Sequence, residues 1–303
     1  VRLAVFRVME APPTGSSRSA IGLRILAAAL VVLASLGVKQ LVLDDEEQAV
    51  ETRGARIVDY RVDSELIGEE LPVTVVIPRG ARDGRRSLLV FLHGRGADEK
   101  SYLYPEMFAA LARQGGRAPV VAFPRGGPDS YWHDREGGRW GSYVLEELVP
   151  SLVQRFEIEP ERVAIGGISM GGFGAFDLGR QRPGELCAIG GHSPAVWLEA
   201  DQAAPGAFDD AGDFERNDVI ELVGPPASPL AGKRVWVDVG EDDPFAEAAR
   251  ELAESLEAGG ARVTLRTGPG GHESHYWRDH WGSYMRFYAR ALKECQRPRD
   301  ADG

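Results

Sequence analysis

Past its first fifty residues the chain alternates short, continuous apolar runs with longer amphipathic stretches. The runs fall at 87–93, 118–123, 162–166, 186–191, 234–240 and 261–267. Unbroken apolarity over so few residues predicts parallel strands whose two faces are both covered by helices. Between them, 106–114, 142–156, 245–258 and 274–295 carry helical spacing, and a helix-compatible stretch follows residue 169. Two earlier runs, 56–62 and 71–78, alternate moderately and predict an antiparallel pair entering the sheet. The stretch 193–233 is a long insertion whose only regular pattern is a helix around 214–222. Alternating strand and helix predicts an α/β fold: a mostly parallel central sheet, helices on both faces, and sites at the carboxyl ends of the strands.

The first fifty residues follow another pattern. Arg2, Arg7, Arg18 and Arg24 precede an apolar run from Ile25 to Val38, and Asp44, Asp45, Glu46 and Glu47 follow it. Basic before and acidic after is the polarity of an export segment. The strictly apolar part is short for a membrane span, but 21–43 is long enough if Arg24, Lys39 and Gln40 snorkel. We expect residues 1–53 to be a signal peptide or uncleaved signal anchor with a linker, and 54–303 to be the catalytic domain. The expected location is extracytoplasmic, either membrane-anchored or secreted.

Composition then narrows the partners. A chain of 303 residues with 43% hydrophobic content can bury a large core, and one domain suffices. The formal charge of −11, with no Lys/Arg run in the globular part, argues against a nucleic-acid partner. Cys187 and Cys295 lack metal-type spacing and indicate neither a zinc site nor a disulfide framework, although one bridge stays open. The oligomeric state is not legible.

The candidate chemistry begins at Gly167-Ile168-Ser169-Met170-Gly171, which fits the G-x-S-x-G elbow, a sharp strand-to-helix turn that exposes a serine hydroxyl above a sheet. Glycine-rich pentapeptides also arise for geometry alone; here the strand before, the helix after, and an acid and a histidine downstream in the order Ser, Asp, His select the nucleophile reading. Serine needs a base to take its proton and an acid to orient that base. His272, in a glycine approach just past the last strand, is the preferred base over His275 and His280 on the helix that follows. For the acid, Asp243 is preferred over Asp242 in Gly240-Glu241-Asp242-Asp243-Pro244, although acids before a helix are also placed there by its dipole. Two backbone donors must meet the developing oxyanion. The Met170 N–H, just after the nucleophile, is one, and the His93-Gly94-Arg95-Gly96 turn should supply the other from Arg95. His93 itself reads as structural. His272-Glu273-Ser274-His275 is one residue short of the zinc-helix motif, so no metal and no cofactor are expected.

Together these stretches resemble the esterase D group of α/β-hydrolases, which includes S-formylglutathione hydrolases, enterobactin esterases and mycolyltransferases. The resemblance covers about 70–293 and rests on Leu-His-Gly-Arg-Gly at 92–96, Gly-Gly-Ile-Ser-Met-Gly-Gly-Phe-Gly-Ala at 166–175, Gly-Glu-Asp-Asp-Pro-Phe at 240–245 and Gly-Gly-His-Glu-Ser-His-Tyr-Trp at 270–277. It implies the α/β-hydrolase fold. It also selects Asp243, three residues after the strand-ending glycine, His272 before an aromatic pair, and Arg95 as the second oxyanion donor. The loop around Trp132 and the insertion at 193–233 match no one subfamily.

The resulting expectation is an exported serine esterase that forms an acyl-enzyme on Ser169 and hydrolyses small to medium esters of small molecules. Acyltransferase, peptidase and a catalytically silent envelope-binding protein are the rivals. Trp132 and Trp140 are the expected aromatic walls of the substrate site. The insertion's carboxylates, Asp201, Asp209, Asp210, Asp213 and Glu215, are expected to oppose burial of a lipid tail unless they face solvent.

Overall fold

The β3 strand, Arg86–Leu92, sits near the middle of an eight-stranded sheet, and its side chains divide between two cores. Leu88, Val90 and Leu92 face one core while Leu89 and Phe91 face the other, the period-two alternation of a strand covered on both sides. This computed structural model describes residues 50–80 and 86–295. Two units are distinguished, Val1–Val50 and Glu51–Gly303, and the described residues lie almost wholly in the second. The expected export segment lies outside the described residues. Among the described residues no helix is long and apolar enough to cross a membrane.

The sheet order is β1-β2-β4-β3-β7-β8-β9-β10. The strands β1 (Arg56–Ser64) and β2 (Glu69–Ile77) pair antiparallel, and β2 is antiparallel to β4 (Val120–Pro124). From β4 through β3, β7 (Ile158–Ile168), β8 (Ala188–His192), β9 (Arg234–Gly240) and β10 (Arg262–Gly268), every pairing is parallel. This is the α/β-hydrolase sheet that the resemblance implied. A small hairpin, β5 (Asp134–Arg135) with β6 (Gly138–Arg139), adds a two-stranded sheet inside the loop after β4 that the apolar pattern did not indicate.

Helices α1 (Pro105–Ala112) and α7 (Ser274–Glu294) cover one face. The other is covered by a helical stretch at 140–155 (α2), by α3 (Met170–Gln181) and by α6 (Ala246–Ala258). Three elements depart from the expected pattern. Stretch α2 starts earlier and winds Tyr143–Leu148 as π-helix. The elbow strand is longer than its apolar core because Pro160 and its neighbours join it across a register shift opposite Arg86 and Leu88. The single helix around 214–222 is two: α4 (Ala211–Asn217) and α5 (Val219–Leu222), broken where the Asp218 carboxylate accepts from the Ile220 and Glu221 N–H groups and starts a new helix.

Cys187, at the approach to β8, and Cys295, at the end of α7, form a disulfide across 108 residues. The open bridge is thus made. Closing a loop of that length removes unfolded-state entropy worth on the order of 4 to 5 kcal/mol in the chain-entropy view.

Candidate active site

Ser169 stands between β7 and α3 with φ +56° and ψ −118°, a conformation that few non-glycine residues adopt. The surroundings hold it there. Its N–H donates to the His192 carbonyl at 3.0 Å, and its own carbonyl accepts from Phe173 and Ala195. The flanking glycines are required by approach: a Cβ on Gly167 would lie 2.4 Å from the Gly171 carbonyl, and one on Gly171 would lie 2.1 Å from the Leu92 oxygen.

The carboxyl ends of the neighbouring strands bring the other two residues in. His272, past β10, lies with Nε2 2.8 Å from Ser169 Oγ and Nδ1 3.0 Å from Asp243 Oδ2. Asp243, past β9, also accepts from the Phe245 N–H at 2.9 Å. A carboxylate facing Nδ1 fixes the tautomer: Nδ1–H donates to Asp243, and Nε2 is left to accept from the Ser169 hydroxyl. Burial pushes the Asp243 carboxyl up, but the hydrogen bonds from His272 and the Phe245 N–H outweigh it and hold the group below its ordinary value. The rings of Phe245 and Trp277 stand edge-on to His272, each 5.1 Å away, and leave the imidazole little freedom to turn. Trp277 is itself held by a bond from Nε1 to Ser193 Oγ at 3.0 Å.

Arg95 lines the cleft in front of Ser169. Met170 is fully buried at the first position of α3. Among the described residues nothing accepts from either backbone N–H, which leaves both donors free for an incoming oxygen. His93 is a strut, as expected: buried, with Nδ1–H donating to the Gly94 carbonyl and Nε2 accepting from the Gly126 N–H. Burial lowers its pKa and favours this neutral form. Asp242 makes no bond to His272. His275 pairs with Asp279 on the helix surface, and His280 Nδ1–H donates to the Tyr276 carbonyl. Among the described residues no group of three His, Cys, Asp or Glu is placed to hold a metal.

A family model described as "Putative esterase" matches residues 64–284. The chain belongs to that esterase family. Esterase Rv1288 of Mycobacterium tuberculosis is 25% identical over 167 residues, a match covering 49% of this chain and 36% of that protein. Bovine S-formylglutathione hydrolase is 23% identical over 225 residues, 66% of this chain and 79% of the relative. Among solved structures, a ferulic acid esterase superposes with a TM-score of 0.69 at 20% identity, covering 78% of this chain and 99% of that one. At that identity the likeness speaks for the fold.

Two residues expected to wall the substrate site do not. Trp132 is fully buried behind the turn at 93–96, where its Nε1–H donates to the His93 carbonyl at 3.0 Å and its ring fits against Gly126 and Gly174. A Cβ on Gly174 would lie 2.4 Å from the Trp132 Cβ, so the slot exists only because that helix position is glycine. Trp140 packs on Gly127, Gly138 and Tyr143. Neither reaches the cleft, a space of about 610 Å3 whose aromatic lining comes instead from Tyr102, Tyr104, Tyr131, Phe245 and Trp277. Tyr131 was hidden by its neighbour: both it and Trp132 have positive φ, and the reversal sends Tyr131 toward the cleft and Trp132 inward.

The insertion carboxylates also have other work. Asp213 is buried against His133, Asp209 pairs with Arg135, and Asp201, Asp210 and Glu215 are exposed. None lines the cleft; the insertion contributes Ala195 and Ala204 there, so its carboxylates do not oppose an apolar acyl group.

Proposed function

We propose that this chain is a serine carboxylic-ester hydrolase that works through an acyl-enzyme on Ser169. The observation that carries the reading is the relay of 2.8 Å from Ser169 Oγ to His272 Nε2 and 3.0 Å from His272 Nδ1 to Asp243. In this scheme Ser169 attacks the ester carbonyl carbon as its proton passes to His272 Nε2. The tetrahedral oxyanion accepts from the Arg95 and Met170 N–H groups, and Asp243 stabilises the imidazolium. Collapse expels the alcohol, which takes the proton from Nε2. A water deprotonated by the same nitrogen then attacks the acyl carbonyl and releases the acid, restoring the serine.

Small to medium acyl groups are the proposed substrates, with ring-bearing ones favoured by the tyrosine, phenylalanine and tryptophan walls. A fluorophosphonate probe should label the protein at Ser169, and Ser169→Ala should abolish both labelling and hydrolysis of a short activated ester while thermal unfolding stays put. A panel from acetyl to palmitoyl esters, with a benzoyl ester and peptides, should peak at the short and ring-bearing members. Full activity in Ser169→Ala, or a peak at palmitoyl or peptide, overturns the reading.

Export is the second part of the proposal. The basic, apolar and acidic order of residues 1–47 supports it, and so does a disulfide, which persists chiefly in oxidising compartments. A reporter fused after Arg53 should be active only outside the cytoplasmic membrane; a reporter active only in the cytoplasm overturns this.

A further inference from the structure

The last strand of the sheet leaves one face uncovered. Where it meets the sheet, helix α7 packs under β7, β8 and β9, while α6 covers the other face of β9 and β10. Val263, on the α6 side, joins the core, whereas Arg262, Thr264 and Arg266 alternate onto the open side. Between them and α7 runs a trough of about 870 Å3.

Its charge opposes that of the chain. The sequence carries −11 overall, yet the trough is lined by seven Arg or Lys side chains and by one carboxylate, Glu294. Glu294 is taken up by Arg234 and Arg290. Among the described residues, Arg117, Arg262, Arg266, Arg286 and Lys293 meet no carboxylate. Like charges gathered on one groove of an acidic protein raise its energy unless an anion joins them.

We propose that this trough binds a linear acidic polysaccharide, a sugar chain bearing repeated carboxylates. Arginine dominates over lysine here, and its planar fork matches a carboxylate in two-point contact. The trough's lining runs along α7 from Tyr276 to Glu294, roughly 27 Å at 1.5 Å per residue, a length that suits a chain. Single-stranded nucleic acid would require exposed rings to stack its bases. Trp236 and Tyr276 are buried, at 8% and 3% exposed, and the half-buried Phe287 is packed on the Trp236 and Tyr288 rings. Tyr276 lines the trough, and its chain neighbour Trp277 lines the cleft.

The test measures binding of the full chain, in detergent, to immobilised polygalacturonate, dextran and a mixed-sequence single-stranded oligonucleotide. Retention on polygalacturonate but not dextran is expected, fading as salt rises from roughly 50 mM to roughly 500 mM. The double variant Arg262→Glu/Arg266→Glu should weaken it about tenfold or more, and Arg286→Gln/Lys293→Gln by less. The denaturant midpoint, and any hydrolysis of p-nitrophenyl acetate, should stay unchanged in both pairs, which reports an intact fold. Binding needs no turnover, so the result stands whether or not Ser169 is a nucleophile. No retention of the parent protein, equal retention on dextran, retention indifferent to all four substitutions, or tighter binding to the oligonucleotide overturns the proposal.

Discussion

Two histidine–aspartate pairs sit at the carboxyl ends of adjacent strands in this protein, and only one of them faces the cleft. His272 and Asp243 share a bond of 3.0 Å, with the remaining imidazole nitrogen on the Ser169 hydroxyl. His192 and Asp238 share a bond of 2.5 Å, with the remaining nitrogen on the Tyr288 hydroxyl. The chemistry of the two pairs is the same; their surroundings differ. His192 is sealed, stacked 3.6 Å from the Tyr284 ring, and Asp238 is saturated by the Trp236 Nε1–H and the Tyr284 hydroxyl as well. Burial pushes the Tyr284 and Tyr288 hydroxyls far above their ordinary range, so neither gives up a proton and the network is fixed. In the proposed mechanism a His–Asp pair becomes a relay only where its third partner is a nucleophile and an oxyanion can be met beside it. Elsewhere it is a buried strut, here one whose His192 carbonyl holds the Ser169 N–H.

The sharpest way to break this comparison is to alter the two acids alike. Asp243→Asn should cost about 10^4-fold in kcat, because an amide stabilises the wrong imidazole tautomer and cannot offset an imidazolium. It should also flatten part of the stability–pH profile. Asp243 has a depressed native pKa, so its ionisation contributes stability that is full above the ordinary carboxylate range and lost as pH falls through the lower native value. Urea unfolding at a series of pH values reads that slope, and esterase assays read the rate. If Asp242→Asn proved the more damaging change, the acid would move by one residue.

The counterpart, Asp238→Asn, should do the reverse. Removing one charge from a saturated buried network costs about 3 kcal/mol or more of stability, while kcat per folded molecule stays within a small factor. Denaturant midpoints and active-site titration separate the two quantities. A large loss of kcat with unchanged stability would make His192–Asp238 part of the catalytic apparatus and erase the distinction drawn between the pairs.

Legibility in the sequence follows the same division between local and long-range causes. The strand Arg234–Gly240 was readable to the residue, since an apolar run stopped by glycine is a local signal. So was the elbow, whose glycines answer to contacts within one turn. The cysteine bridge spans 108 residues and nothing local announced it. The basic trough is assembled from residues as distant as Arg117 and Lys293, so the absence of a Lys/Arg run concealed it. The break at Asp218 and the π-turn at Tyr143–Leu148 depend on hydrogen-bond choices that apolar periodicity does not encode.

The two loop tryptophans test the smallest effect and the least legible assignment. Trp132 and Trp140 look alike in sequence, eight residues apart in one loop, and both were expected on the cleft wall. In the fold they differ by one bond: the Trp132 Nε1–H holds the His93 carbonyl, at the head of the turn that presents Arg95, and Trp140 makes no such contact with that turn. In the proposed mechanism that turn carries one oxyanion donor; losing a whole donor costs on the order of 100-fold or more, so loosening the turn should cost less. Trp132→Phe is therefore expected to lower kcat about tenfold with KM nearly unchanged, since the cleft lining is untouched and only transition-state contact suffers. Trp140→Phe should leave kcat and KM alike and register only as a modest stability loss. A rise in KM for either variant would restore that tryptophan to the substrate wall; equal, small effects on kcat from both would show that the bond to His93 does not position the turn.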